Sequence, residues 1–110
     1  MTRPIAVGYL RRDISGVRQQ WDEYRLRGLA ARFGYNLTKI IVFGRNGLQP
    51  KLLEAIATAE AEAVFVPSAT HFDDGEVPTR LVQIIDVITV DTEETHARWS
   101  NGAVDPIERM

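Results

Sequence analysis

Four short apolar runs, rich in branched side chains, divide this chain at intervals that leave room for a helix between each pair. They occupy residues 4–10, 37–43, Ala63–Val66 and 86–91. Runs of this length, bounded by Gly, Pro, Asn or Asp, read as buried strands. The first intervening segment has helical spacing over 17–33 and stops at Gly34, a residue suited to the position just past a helix end. The second has Leu48, Leu52, Leu53 and Ile56 on one helical stripe over 48–61, with Pro50 tolerable in the first turn. A polar loop over 68–75 and a short helix over 78–84 complete the third interval. The order β-α-β-α-β-α-β predicts a parallel sheet, because parallel neighbours need crossover connections that lay helices on both faces. Beyond Asp91 the pattern fades: residues 92–99 predict two helical turns, and 100–110, with Asn-Gly and Asp-Pro, a loose tail.

The expected architecture is one α/β domain with a four-stranded parallel sheet of flavodoxin-like type, strand order 2-1-3-4. The domain is expected over residues 1–92, with the short helix and tail over 93–110. A chain of 110 residues has room for one core and little else. No apolar run approaches the roughly 18 residues that span a bilayer. Met1-Thr2-Arg3-Pro4 lacks the charged and apolar regions of a signal peptide, so a cytoplasmic protein without membrane association is expected. With no cysteine, thiolate catalysis and Cys-based metal sites are excluded. Residues 1–51 carry ten Lys/Arg against three Asp/Glu, and residues 52–110 three against twelve, balances of +7 and −9. Such asymmetry suits a phosphate-bearing or acidic partner, or head-to-tail self-association, unless the interleaved elements cancel it.

The first strand ends in Gly8-Tyr9-Leu10-Arg11-Arg12-Asp13. This resembles the tyrosine-x-arginine-valine-serine element of serine recombinases, the resolvases and invertases. The resemblance continues through Gln19-Gln20, Ala30-Ala31-Arg32-Phe33-Gly34 and Asn46-Gly47-Leu48-Gln49-Pro50-Lys51-Leu52. It ends where Ala63-Val64-Phe65-Val66 leads toward the family's aspartate-arginine-leucine-x-arginine motif. It implies a resolvase-like catalytic-domain fold, and position by position it implies a degenerate site. Arg11 matches the arginine ahead of the nucleophile, but Asp13 replaces the nucleophilic serine. Gln49 replaces an arginine. Thr70 falls on the aspartate, His71 on the first arginine and Asp74 on the second. A carboxylate repels the phosphate that a serine would attack. Phosphoryl transfer also needs several cations around the reacting group, and one arginine is left. No recombinase activity and no catalytic residue are expected.

Three sets of residues remain as candidates. If the strand order is 2-1-3-4, the crevice at the carboxyl ends of strands 1 and 3 is lined by Arg11, Arg12, Asp13, Ser15, Ser68, Thr70 and His71, a polar set able to hold a small anion or nucleotide. Ser15 there reads as a helix N-cap, with Asp13 a second candidate for that role, rather than as a displaced nucleophile. On the first helix Leu26, Leu29, Ala30 and Phe33 form the stripe expected to face the sheet. A second stripe, Val17, Trp21, Tyr24, Gly28 and Ala31, is a candidate interface for a second copy or another protein, unless the chain's own tail, with Trp99, covers it. Arg18, Arg25 and Arg32 form a row at i, i+7, i+14 able to track nucleic-acid phosphates, but Asp22 and Glu23 interrupt it and no helix-turn-helix accompanies it. His71, Asp73, Asp74 and His96 match no standard metal spacing, and no glycine-rich phosphate loop follows strand 1. Neither metal nor cofactor is expected.

Overall fold

The computed structural model describes residues 3–43, 49–72 and 75–98, Gln49 by its backbone alone. The elements follow one another as β1 (Ile5–Arg11), α1 (Arg12–Ser15), a 3-10 turn (Gly16–Arg18), α2 (Gln19–Arg32), β2 (Asn36–Phe43), α3 (Gln49–Ala59), β3 (Ala63–Val66), a second 3-10 turn (Ala69–His71), α4 (Thr79–Val82), β4 (Asp86–Thr89) and β5 (Glu94–His96). They build one sheet in the order β2-β1-β3-β4-β5. The first four strands run parallel in the expected 2-1-3-4 order, and β5 is antiparallel to β4.

Strand alternation sorts the side chains onto two faces. Val7, Tyr9, Val64, Val66 and Val87 meet Leu52 and Ile56 of α3 and Leu81 and Val82 of α4. Ala6, Ala63, Phe65, Ile88 and Val90 meet Leu26, Leu29 and Ala30 of α2. Central strands covered on both faces explain why β3 is buried at all four positions. Gly8 lets α2 sit close: a Cβ there would meet Ile40 Cγ1 at 3.0 Å and Leu26 Cδ1 at 3.2 Å.

Three sequence expectations need correction. The first helix does not begin as α-helix at 17: Gly16, at φ 58°, opens a 3-10 turn that takes in Val17 and Arg18, and regular α-helix begins only at Gln19. Its end is as expected. Gly34 at φ 85° closes it in a Schellman motif, Tyr35 N–H donating to Ala30 and Gly34 N–H to Ala31. Phe33 does not join the buried stripe; it is partly exposed and meets Phe65 edge-on. Finally, the described part of 92–99 forms no helix. Thr89 and Thr92 hydroxyls meet at 2.8 Å, Glu93 takes φ 55°, and the chain reverses onto the open edge of β4 as β5. Arg98 N–H then donates to Asp86 at 2.6 Å. The sheet therefore continues past residue 92 and has five strands, the fifth antiparallel. Trp99 and the tail lie outside the described residues. Among the described residues no helix is long and apolar enough to cross a membrane.

Candidate functional site

The carboxyl ends of β1 and β3 are fastened together by two hydrogen bonds. Tyr9 is fully buried, stacks on Phe72 with centroids 5.1 Å apart, and donates its hydroxyl proton to the His71 carbonyl at 2.9 Å. The backbone N–H of Arg11 donates to His71 Nδ1 at 3.0 Å. A ring that accepts at Nδ1 carries its neutral-state proton on Nε2. Burial pushes the His71 pKa below its ordinary 6.5; nearby Asp22 opposes this and Arg11 adds to it. The ring is thus held neutral. Nδ1 is engaged, and Nε2 has no protein partner among the described residues. Just before it, Ser68 caps the second 3-10 turn by accepting from Thr70 N–H at 3.1 Å.

Arg11, at the end of β1, is engaged two residues along the chain. Its guanidinium grips Asp13, with Nη2 to Oδ2 at 2.6 Å and Nε to Oδ1 at 3.1 Å. The carboxylate at the position the resemblance assigns to a nucleophile therefore neutralises the cation beside it. Arg11 holds the N-cap position of α1 but makes no side-chain capping bond there.

Ser15 stands at the N-cap position of the first 3-10 turn without capping it. Its side chain makes no capping bond; it is buried and donates to Asp22 Oδ2 at 2.6 Å. Asp22, read in the sequence as a break in a basic row, is itself 5% exposed. Gly16 makes this pair possible: the turn it allows folds α1 back so that residue 15 lies over the first turn of α2.

Beside this pair lies a cavity of about 290 Å³, walled by Ile14, Ser15, Arg18, Asp22 and Arg25 on one side and Pro67, Ser68, Thr70, His71 and Asp91 on the other. Four of the seven crevice candidates line it: Ser15, Ser68, Thr70 and His71. Arg11, Arg12 and Asp13 do not. Arg18 and Arg25, assigned in sequence to a nucleic-acid row, line it as well, and neither forms an ion pair among the described residues. Arg32, the third of the row, lies near Glu93 at 3.5 Å. Sequence reasoning missed Asp22, Asp91 and the turning of two arginines into one cavity. The available signal was that Arg18, Asp22 and Arg25 fall at i, i+4, i+7, on one helix face.

The second stripe of α2 is bare. Val17 is fully exposed, Trp21 is 53% and Tyr24 67% exposed, and Gly28 and Ala31 are exposed too. The Trp21 and Tyr24 rings stack at 5.6 Å, only 24° from parallel. Next to them runs a shallow groove of about 470 Å³, with Tyr24, Gly28, Leu29 and Val90 in its wall and Arg25, Arg27, Arg32 and Glu93 at its margins. The cover suggested for this stripe by Trp99 lies outside the described residues, as do Asp73 and Asp74, residues 44–48 and the side chain of Gln49. Among the described residues no cluster of three or more His, Asp or Glu is placed to hold a metal ion.

A five-stranded, mostly parallel sheet in this order, with helices on both faces, defines a resolvase-like α/β domain. The crystal structure of a resolvase family site-specific recombinase from Streptococcus pneumoniae superposes on it with a TM-score of 0.70, at 18% identity, covering 97% of this chain and 89% of that one. At that identity the likeness shows the fold. No protein-family model matches the sequence, and no curated protein matches it significantly.

Proposed function

We propose that this protein is a resolvase-like scaffold without recombinase activity, working in the cytoplasm as a self-associating interaction or regulatory module. The observation that carries this reading is the exposed Trp21–Tyr24 stack on a helix whose opposite side already packs on the sheet. Large aromatics standing clear of a domain surface typify association sites, since their burial supplies most of the affinity at an interface. The occupant we assign is a second copy. The groove beside the stack is large enough to receive an indole, and groove and stack adjoin on α2. A two-fold pairing would therefore seat each Trp21 against the other copy's Tyr24 and Gly28. The Arg11–Asp13 pair supports the absence of DNA cleavage. A nucleophile is replaced by a carboxylate, and the neighbouring cation is spent on it. Nucleic-acid binding along Arg18, Arg25 and Arg32 is less favoured, because two of these line a cavity and the third lies beside Glu93.

Analytical ultracentrifugation of the wild type and of Trp21→Glu and Tyr24→Glu tests this. A concentration-dependent dimer in the wild type, lost in both variants, is expected. A wild type that sediments as a monomer throughout the micromolar range overturns self-association.

A further inference from the structure

The stripe on α2 explains neither the buried polar groups of the neighbouring cavity nor their arrangement. Arg18, which ends the 3-10 turn, and Asp22 and Arg25 of α2 line the same cavity, in the charge order plus, minus, plus along the chain. Neither arginine has an ion-pair partner among the described residues. Asp22 uses Oδ2 to accept from Ser15; its Oδ1 has no protein partner there, although the residue is almost fully buried. Facing these across the cavity, His71 is 3% exposed and its Nε2 is likewise unpartnered. Among the described residues no buried side-chain nitrogen or oxygen lacks a partner, so these two unused atoms are the accessible ones, open to the cavity their side chains border, where water or a ligand's polar groups can meet them.

We propose that this cavity is a binding site for a small aminodicarboxylate, an amino acid of the aspartate or glutamate class. The complement of plus, minus, plus is minus, plus, minus: two carboxylates separated by an ammonium group. Arg18 and Arg25 each take a carboxylate, for which the guanidinium fork is the best-matched side chain. Asp22 Oδ1, reinforced by Asp91, accepts from the ammonium group, and the Nε2–H of His71 donates to whichever carboxylate lies nearer the sheet. A cavity of about 290 Å³ holds a molecule of this size with room for ordered water and is small for a nucleotide. A phosphate dianion fits the arginines but would confront both Asp22 and Asp91. A simple dicarboxylate leaves Asp22 unanswered.

Isothermal titration of the full chain with L-glutamate and L-aspartate tests this, with glutarate, succinate and inorganic phosphate as comparison ligands. Saturable binding of one or both amino acids, at least tenfold tighter than the dicarboxylate lacking the amine, is expected. Arg25→Ala should weaken it by tenfold or more. Asp22→Asn keeps the side chain's shape and an acceptor for Ser15, and should erase the preference for the amine while leaving the dicarboxylate affinity in place. Circular dichroism identifies any variant that fails to fold. For such a variant Arg18→Ala, at an exposed position, serves instead. No heat with either amino acid, equal binding of dicarboxylate and amino acid, or binding of phosphate alone would each overturn the assignment. Trp21 does not border this cavity. Trp21→Glu should therefore bind the amino acid as the wild type does, and the site stands or falls separately from self-association.

Discussion

Replacing Ser15 separates two roles that a serine at the start of a helix can play. As an N-cap it would accept from a backbone N–H, and aspartate would serve as well or better. The structure gives it the opposite polarity: the hydroxyl donates to the buried carboxylate of Asp22 at 2.6 Å. Ser15→Ala then removes a hydrogen bond to a charged group, worth about 1.5–3 kcal/mol. Because Asp22 borders a cavity that water can enter, the lower end applies. About 1.5 kcal/mol corresponds to a fall in melting temperature of roughly 5–10 °C for a domain near 100 residues. Ser15→Asp is the decisive variant. It sets a second carboxylate against the first, and two like charges about 4 Å apart repel by about 4 kcal/mol at the effective dielectric of a protein surface. Urea unfolding at neutral pH should therefore rank the proteins wild type, Ser15→Ala, Ser15→Asp in falling stability. The Ser15→Asp penalty should also shrink as acid protonates one member of the pair. A Ser15→Asp protein as stable as the wild type would refute the donor geometry and restore the cap.

Two further outcomes follow from groups around the same crevice. His71 has a folded pKa below 6.5, so its neutral form stabilises the fold fully above that pH, and this contribution is lost as the pH falls from 6.5 through the lower folded value. Stability measured between pH 7 and pH 5 should drop more steeply in the wild type than in His71→Gln; equal slopes would remove His71 as the cause. At the end of α3, Glu60 sits at φ 56° in a Schellman-type turn, with Ala61 N–H donating to Ile56. A side chain in this conformation costs about 1–2 kcal/mol that glycine avoids, less the glycine's greater freedom when unfolded. Glu60→Gly should gain roughly 0.5–1 kcal/mol in urea unfolding, and a loss would show that the Glu60 side chain makes a compensating contact.

The parallel core could be read from the sequence because each strand and helix there carries its own local signal. Apolar runs bounded by Gly or Pro located β1, β2 and β3, and Gly34 marked the end of α2. Leu26, Leu29 and Ala30 named the buried face. The fifth strand carried no such signal. Glu94-Thr95-His96 has no apolar alternation, and it is a strand because β4 offers an unpaired edge within reach of a tight turn. Gly16 was visible as a glycine just ahead of the helical pattern, but its consequence was not. It folds Ser15 onto Asp22, seven positions away, a pairing no spacing rule suggests. The crevice was half legible for the same reason. Topology placed Ser68, Thr70 and His71 at the right edge of the sheet. The turning of Arg18 and Arg25 into that crevice depends on how α2 is rotated over the sheet, which packing against Leu26 and Ala30 decides. Arg11 was placed correctly along the chain, but its partner, Asp13, changed what it is available for.

The bonds from β1 to His71 have a thermodynamic consequence. A phenol hydroxyl and a backbone amide, both on the interior strand β1, immobilise the turn that forms one wall of the cavity. Ordering a residue's backbone costs about 1–2 kcal/mol, and here folding has already met that cost for the turn over 69–71. Anything that docks against this wall meets a stiff surface and keeps more of its interaction energy as affinity. The opposite wall depends on Gly16. There Gly16, at φ 58°, shapes the turn between Ser15 and Arg18, both of which line the cavity.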